Sequence, residues 1–337
     1  MGERGAPRAV IFGCSGPVLG DGERLFFRDA DPLGFILFAR NCRDPDQVRG
    51  LVADLRHCLG RENAPLLIDQ EGGRVARLRP PHWRLAPAPE RLARLAGAEE
   101  ASEAVRLNAR LIAAELHDLG ITVNCLPVLD VLRPGAYIAE RSFGGEPDTV
   151  ARLGRAACEG LLGGGVLPVV KHMPGMGRAI PDSHVSLPVV DASEDELERL
   201  DYAPFQALGH MPWGMTAHVV YRAVDRCAPA TTSAAVIGGV IRGKIGFEGL
   251  LLSDDLSMEA LTGGLGERAA AALEAGCDVA LHCNGERAEM EAVAGVSGPM
   301  TEVAMARLAR GEDMLGAPEP FDEARALARL DNLLGCR

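Results

Sequence analysis

Eight short apolar runs recur along the chain, at 9–12, 34–38, 65–68, 121–126, 167–170, 213–216, 249–252 and 278–281. Most are rich in Val, Ile and Leu, the composition of strands buried on both faces. Between them lie stretches with apolar residues at helical spacing, among them 46–58, 99–118, 148–162, 194–208, 233–244 and 267–275. Ser193 and Ser233 stand where helix N-caps belong. Regular alternation of strand and helix describes a parallel sheet wrapped by helices. Eight repeats favour closure, so the expected fold is α/β, a single TIM-like (β/α)₈ barrel. Its first strands are allowed to be irregular; the weakest strand signals are 9–12 and 213–216.

A chain of 337 residues fits one such barrel. No linker, low-complexity tract or repeat divides it, so one domain over 1–337 is expected. A Pro/Gly break at 316–320 precedes a last helix at 323–334, expected to pack on the barrel. The three glycines at 163–165 precede a strand rather than a helix. They read as a helix C-cap, not a dinucleotide loop.

The formal charge of −12 argues against nucleic acid as a partner, although Arg74, Arg77, Lys171 and His172 could still form a local basic pocket. The opening MGERGAPRAV has no apolar core of signal-peptide length, and the longest uncharged apolar run, 160–170, is too short to span a bilayer. A soluble, cytoplasmic monomer with no membrane partner is expected. Nine cysteines at scattered spacings, with no C-x-x-C, read as reduced and buried thiols. The chain lacks the phosphate-binding G-x-x-x-x-G-K-[ST], the nucleophile elbow G-x-S-x-G and the zinc motif H-E-x-x-H. No cofactor or metal is implied.

Polar residues gather where the strands end. Asp69 follows the third run and Asn124 sits within the fourth. Lys171 and His172 follow the fifth, His218 the sixth, Asp254 the seventh and His282 the eighth. All C-terminal strand ends of a parallel barrel face one mouth, so these groups are expected to converge on one pocket.

Two segments carry the strongest chemistry, 171–188 and 250–258. In the first, two glycines and a proline follow Lys171-His172 and describe a bent, mobile loop. Asp182 and His184 then stand two apart, which puts them on one side of an extended segment. A carboxylate beside an imidazole orients it for proton transfer. In the second, an apolar strand delivers Asp254 and Asp255. One suits a nucleophile or base, the other a helix cap. The stretch from Asp69 to Arg77 offers carboxylate and guanidinium groups able to take neighbouring hydroxyls in pairs. Each has a blander alternative: a polar surface loop, two caps, or a structural salt-bridge turn.

The motifs taken together resemble glycoside hydrolase family 3, in its single-domain bacterial β-N-acetylglucosaminidase branch. They are ILFARNCRDPDQV from Ile36, DQEGGRV from Asp69, ERSFGG from Glu140, KHMPGMGRAIPDSH from Lys171, MTAHV from Met215 and GFEGLLLSDDLSM from Gly246. They cover nearly the whole barrel in family order. The resemblance implies a retaining mechanism through a covalent glycosyl-enzyme. Asp254 matches the nucleophile, His184 the acid/base and Asp182 its carboxylate partner. Asp69, Arg77, Arg141, Lys171 and His172 match positions that hold the terminal N-acetylglucosamine. The implied partner is a small carbohydrate or muropeptide, N-acetylglucosamine joined to anhydro-N-acetylmuramic acid with or without peptide. Met173 and Met176 depart from the usual Phe and His of the loop. No second α/β domain is expected.

Three alternatives remain open. A phosphorylase would use the same residues, since a His acid/base repels incoming phosphate less than a carboxylate does. A metal-dependent barrel hydrolase would take His172, His184, His218 and Asp254 as ligands. A catalytically silent sugar-binding protein would be expected to have lost Asp182, His184 or Asp254.

Overall fold

The computed structural model of the protein describes residues 5–180 and 187–335. Eight strands form the barrel: Arg8–Gly13 (β1), Pro32–Leu37 (β2), Leu66–Ile68 (β3), Val123–Asn124 (β4), Leu167–Met173 (β5), Trp213–Thr216 (β6), Leu250–Asp255 (β7) and Val279–His282 (β8). Each is parallel to its neighbours. β1 closes the ring on β8, with Val10 opposite Ala280 and Phe12 opposite His282. The expected α/β barrel is the observed one.

Alternation along the strands builds two cores. Ile11, Ile36, Leu67, Val123, Val169, Trp213, Leu252 and Leu281 fill the barrel interior. Val10, Phe12, Phe35, Leu37, Leu66 and Ile68 face the surrounding helices. The interior is sealed at one end by a helix the sequence pattern did not disclose, Glu302–Met314. Thr301 caps it by accepting from the Ala304 amide at 3.1 Å. Its Ala304 and Leu308, with Met300, join the interior cluster. The strands' C-terminal ends are left as the open mouth. Two further helices, Asp21–Ala30 and Arg287–Val296, were likewise unexpected.

Ser193 and Ser233 are caps as expected, accepting from the amides of Glu196 and Val236. The helix Pro147–Gly163 ends on Gly164, with Gly165 at φ +72°. The last helix, Glu323–Leu333, buries Ala326 and Leu330, and Arg329 donates twice to Glu103 on helix Ala98–Asp118. Among the described residues, no helix is long and apolar enough to cross a membrane, and the eight described cysteines are all free.

Two strands run three residues beyond the C-terminal ends of their apolar runs. β5 continues through Lys171 and His172 to Met173, and β7 through Asp254 to Asp255. Both carry polar residues into the mouth on rigid backbone.

Candidate active site

The mouth holds a cavity of about 320 Å³, lined by Asp69, Arg77, Arg141, Lys171, His172 and Asp254 together with Phe38, Tyr137, Met176 and Met258. Six of the eight site residues expected from sequence therefore share one pocket. The other two, Asp182 and His184, lie outside the described residues.

Asp69 follows β3 on a turn that Gln70 staples. The buried Gln70 side chain accepts from the amides of Arg77 and Leu78 and donates to the Leu78 carbonyl, at 2.8–3.1 Å. Asn124 on β4 clamps the Gln70 backbone from both sides. This turn needs glycine. Gly72 has φ +102°, and a Cβ there would meet the Pro87 carbonyl at 2.3 Å. It folds Arg77 back over the pocket, where it donates to Asp69 at 2.9 Å and lies 4.8 Å above the Phe38 ring.

Five charges interlock along this wall. Lys171 sits between Asp69 (2.8 Å) and Glu71 (2.7 Å). Arg141 grips Glu71 with two parallel bonds of 2.9 and 2.8 Å. Burial acts to raise both carboxyls. Lys171 and Arg77 overcome it at Asp69; Arg141 and Lys171 overcome it at Glu71. Both stay below the carboxylate range, Glu71 at about 2. Burial pulls Lys171 down, but the two acids hold it above the ordinary lysine value. Asp69, Glu71, Arg141 and Lys171 stay charged at neutral pH, and the five groups fix one another's geometry.

His172 is oriented by a residue that sequence reasoning missed. Its Nδ1 meets the buried Asp130 carboxylate at 2.8 Å. A carboxylate only accepts, so Nδ1 carries the hydrogen and Nε2 faces Arg141 at 3.4 Å. Asp130 also accepts from the His172 and Met176 amides, at 3.3 and 2.7 Å.

The same contacts correct the picture of a loose loop after β5. Residues 173–177 and 179 are buried. The Gly177 carbonyl accepts from Arg133 and that of Ala179 from Tyr137. Tyr221 donates to the Gly175 carbonyl at 2.9 Å, and Arg178 donates to Asp201 at 2.9 Å. Gly177 lies so close to Val131 that a Cβ would reach its carbonyl oxygen at 2.0 Å. Met176 lines the pocket, while Met173 packs against Gly214.

At the end of β7 the two acids separate. Asp255 caps the following turn, accepting from the Ser257 amide (3.0 Å) and hydroxyl (2.7 Å) and from the Cys283 amide (3.2 Å). The Asp254 carboxylate accepts only the Asp255 amide, at 2.8 Å, among the described residues. Burial acts to raise it. His218, His172, the Asp255 amide and Lys171 outweigh burial and hold it below the ordinary carboxylate value. Asp254 is thus an ionised acid facing a pocket with no side chain committed to it. A one-sided pocket with a paired ionic wall and one uncommitted carboxylate opposite is suited to holding a polar, uncharged ligand against a nucleophile.

The family model for the glycosyl hydrolase family 3 N-terminal domain matches residues 30–310. The chain belongs to glycosyl hydrolase family 3. A relative, the β-hexosaminidase of Alkalilimnicola ehrlichii, is 40% identical over 282 residues, covering 82% of this chain and 80% of its own. NagZ from Neisseria gonorrhoeae superposes with a TM-score of 0.86 at 34% identity, covering 98% of both chains. The family 3 β-N-acetylglucosaminidase from Paenibacillus sp. str. FPU-7 does so at 0.85 and 32%; this chain covers 66% of that longer protein.

Three expected members of the mouth do not line the family 3 pocket. Asn124 is the clamp on Gln70, and His218 lies behind Asp255. His282 turns toward Glu289, 3.0 Å away. Among the described residues, no three His, Cys, Asp or Glu side chains are grouped to hold a metal ion. Two residues were overlooked. Glu71 stood inside a quoted motif, and its partner Arg141 seventy positions on was the available signal. Asp130 is the first acid after the fourth apolar run, four residues past its end.

Proposed function

We propose that this chain is a retaining, exo-acting β-N-acetylglucosaminidase. The observation that carries the reading is Asp254: a pocket carboxylate kept ionised and left without a side-chain hydrogen-bond partner among the described residues. The names of the relatives support the sugar class. The pocket volume, near the lower end of the about 300–1,000 Å³ of ligand sites, suits a single sugar residue.

The terminal N-acetylglucosamine is held by Asp69, Arg77, Arg141, Lys171 and His172. Asp254 attacks the anomeric carbon as the glycosidic C–O bond breaks. His184, oriented by Asp182, gives its proton to the departing oxygen. His184 then takes a proton from water, whose oxygen attacks the anomeric carbon and releases the Asp254 carboxylate. The pairing of every other pocket carboxylate supports an imidazole in the proton-transfer role, where most retaining enzymes use a second carboxylate. The substrate is the disaccharide of N-acetylglucosamine and anhydro-N-acetylmuramic acid, with or without its peptide, and the enzyme acts in the cytoplasm as a monomer.

A fluoro-sugar with a good leaving group tests the covalent step. Mass spectrometry of the peptic digest should place the adduct on Asp254; label elsewhere, or none, overturns the reading. The pocket wall carries three cations against two acids, which also suits an anion as second nucleophile. Products are therefore compared with and without phosphate, and sugar 1-phosphate as the main product would replace hydrolysis by phosphorolysis.

A further inference from the structure

Behind Asp254, away from the pocket, lies a buried polar chain that the proposed chemistry does not use. Thr216 ends β6 and His218 follows it. Thr231 comes from the 3₁₀ turn Ala230–Thr232. All three are buried. The Asp254 amide donates to the Thr216 hydroxyl at 3.3 Å. The Thr216 and Thr231 hydroxyls are 2.8 Å apart, and Thr231 lies 2.7 Å from His218 Nδ1. His218 Nε2 is 2.9 Å from the Asp255 carbonyl.

The directions of these bonds follow from the groups. A carbonyl only accepts, so Nε2 carries the hydrogen. Burial lowers His218 against the opposing pull of Asp254, and in the neutral ring, with Nε2 donating, Nδ1 accepts. Thr231 then donates to Nδ1, the nearer of its two acceptors at 2.7 Å against 3.2 Å for the Ala217 carbonyl; Thr216 donates to Thr231, and the Asp254 amide donates to Thr216. The chain begins on the amide of Asp254 and ends on the carbonyl of Asp255. It brackets the two residues whose shared peptide bond supplies the N–H that holds the Asp254 carboxylate. The Cys283 amide secures the other side through the Asp255 carboxylate.

We propose that His218 is a positioning residue: without touching sugar, it fixes the backbone of Asp254 and Asp255 through Thr216 and Thr231 and so aims the nucleophile. This rests on the reading of Asp254 as nucleophile. The geometry assigns the two ring nitrogens separate tasks, which two substitutions can separate from mere filling of space. His218→Gln can keep a donor for the Asp255 carbonyl; His218→Leu keeps neither bond.

The full chain is assayed on an aryl β-N-acetylglucosaminide, with active sites counted by fluoro-sugar titration. Misplacing a reacting group by about 1 Å costs roughly 100-fold, so a smaller misaim is expected to cost roughly 10- to 100-fold. His218→Leu should lower kcat per titrated site by about that factor with KM moved less than about threefold, and should slow trapping at Asp254 equally. His218→Gln should recover most of the loss. Thr231→Val, which removes one hydroxyl from the chain, should move kcat the same way and serves where His218→Leu does not fold. Unchanged kcat per titrated site in His218→Leu or Thr231→Val, a change confined to KM, or a Gln variant no better than Leu would overturn the positioning role. If wild-type label falls on a residue other than Asp254, the nucleophile reading itself fails, and the two failures are distinct.

Discussion

Replacing Glu71 by Gln removes one negative charge from the ionic wall while keeping its shape. Arg141 then loses its carboxylate partner and Lys171 keeps only Asp69. The cost can be worked two ways. The Glu71 carboxyl stands at about 2 against an ordinary 4.5; at 1.36 kcal/mol per pH unit this is about 3 kcal/mol. Breaking a buried ion pair by removing one partner costs about 3–5 kcal/mol. With about 2.1 cal/mol/K of unfolding entropy per residue, a 337-residue chain loses roughly 4–7 °C of Tm for that change. The pH dependence has a definite sign. A carboxyl depressed by folding stabilises fully above its unfolded value of 4.5, and the contribution fades as pH falls from there through about 2. The gap between wild type and Glu71→Gln, read by urea unfolding, should therefore be about 3 kcal/mol at pH 7 and less than half of that by pH 3. A gap under about 1 kcal/mol at pH 7, or one that is the same at both pH values, would refute the electrostatic account and leave Glu71 a packing residue.

Asp130→Asn can present only one oxygen where the carboxylate serves the His172 ring and the His172 and Met176 amides with two. Hydrogen bonds to charged groups contribute about 1.5–3 kcal/mol, so kcat/KM should fall roughly 10- to 150-fold; an unchanged value would show that His172 keeps its aim without Asp130. Among the described cysteines only Cys227 is exposed, while burial pushes Cys14 and Cys42 up to about 12. A thiol reagent at pH 7.5 should modify Cys227 ahead of the other described thiols and leave activity intact. Early labelling of Cys125 or Cys283 in the native protein would contradict the packing described here.

The barrel was legible because its strands are short, apolar and evenly interleaved with helices, a local pattern that tertiary context had no need to override. What escaped depended on distant partners. Helix Glu302–Met314 earns its place by plugging the barrel with Ala304 and Leu308, a task set by a cavity made of other strands. The run 121–126 looks like a full strand, yet only Val123–Asn124 joins the ladder, because the Leu126 amide turns back to the Asn124 carbonyl. In the site, Asp69, Arg77, Arg141, Lys171 and His172 could be picked out from motifs. The pairing of Glu71 with Arg141, and of Asp130 with His172, joins separate loops that only the closed barrel brings together. His282 was misread for a simpler reason. Neighbouring positions at a strand end point to opposite faces, and its ring points outward toward Phe12 and Glu289.

Asp254 and Asp255 pose the sharpest test of what sequence can say, since adjacent identical side chains carry no distinguishing pattern. Their difference is one of satisfaction. Asp255 is saturated by Ser257 and Cys283, and Asp69, Glu71 and Asp130 are saturated by cations or imidazole. The wall opposite Asp254 can therefore be strongly polar and still rigid, because each of its acids is held by two cations. On the proposed mechanism, positive charge develops at the anomeric carbon as the leaving group departs. A carboxylate already committed to Lys or Arg would spend its field on that partner. Asp254 keeps its field for the reacting carbon, at a point fixed by β7, and the asymmetry between one acid unpaired among the described residues and a paired wall is what gives the pocket a direction for chemistry.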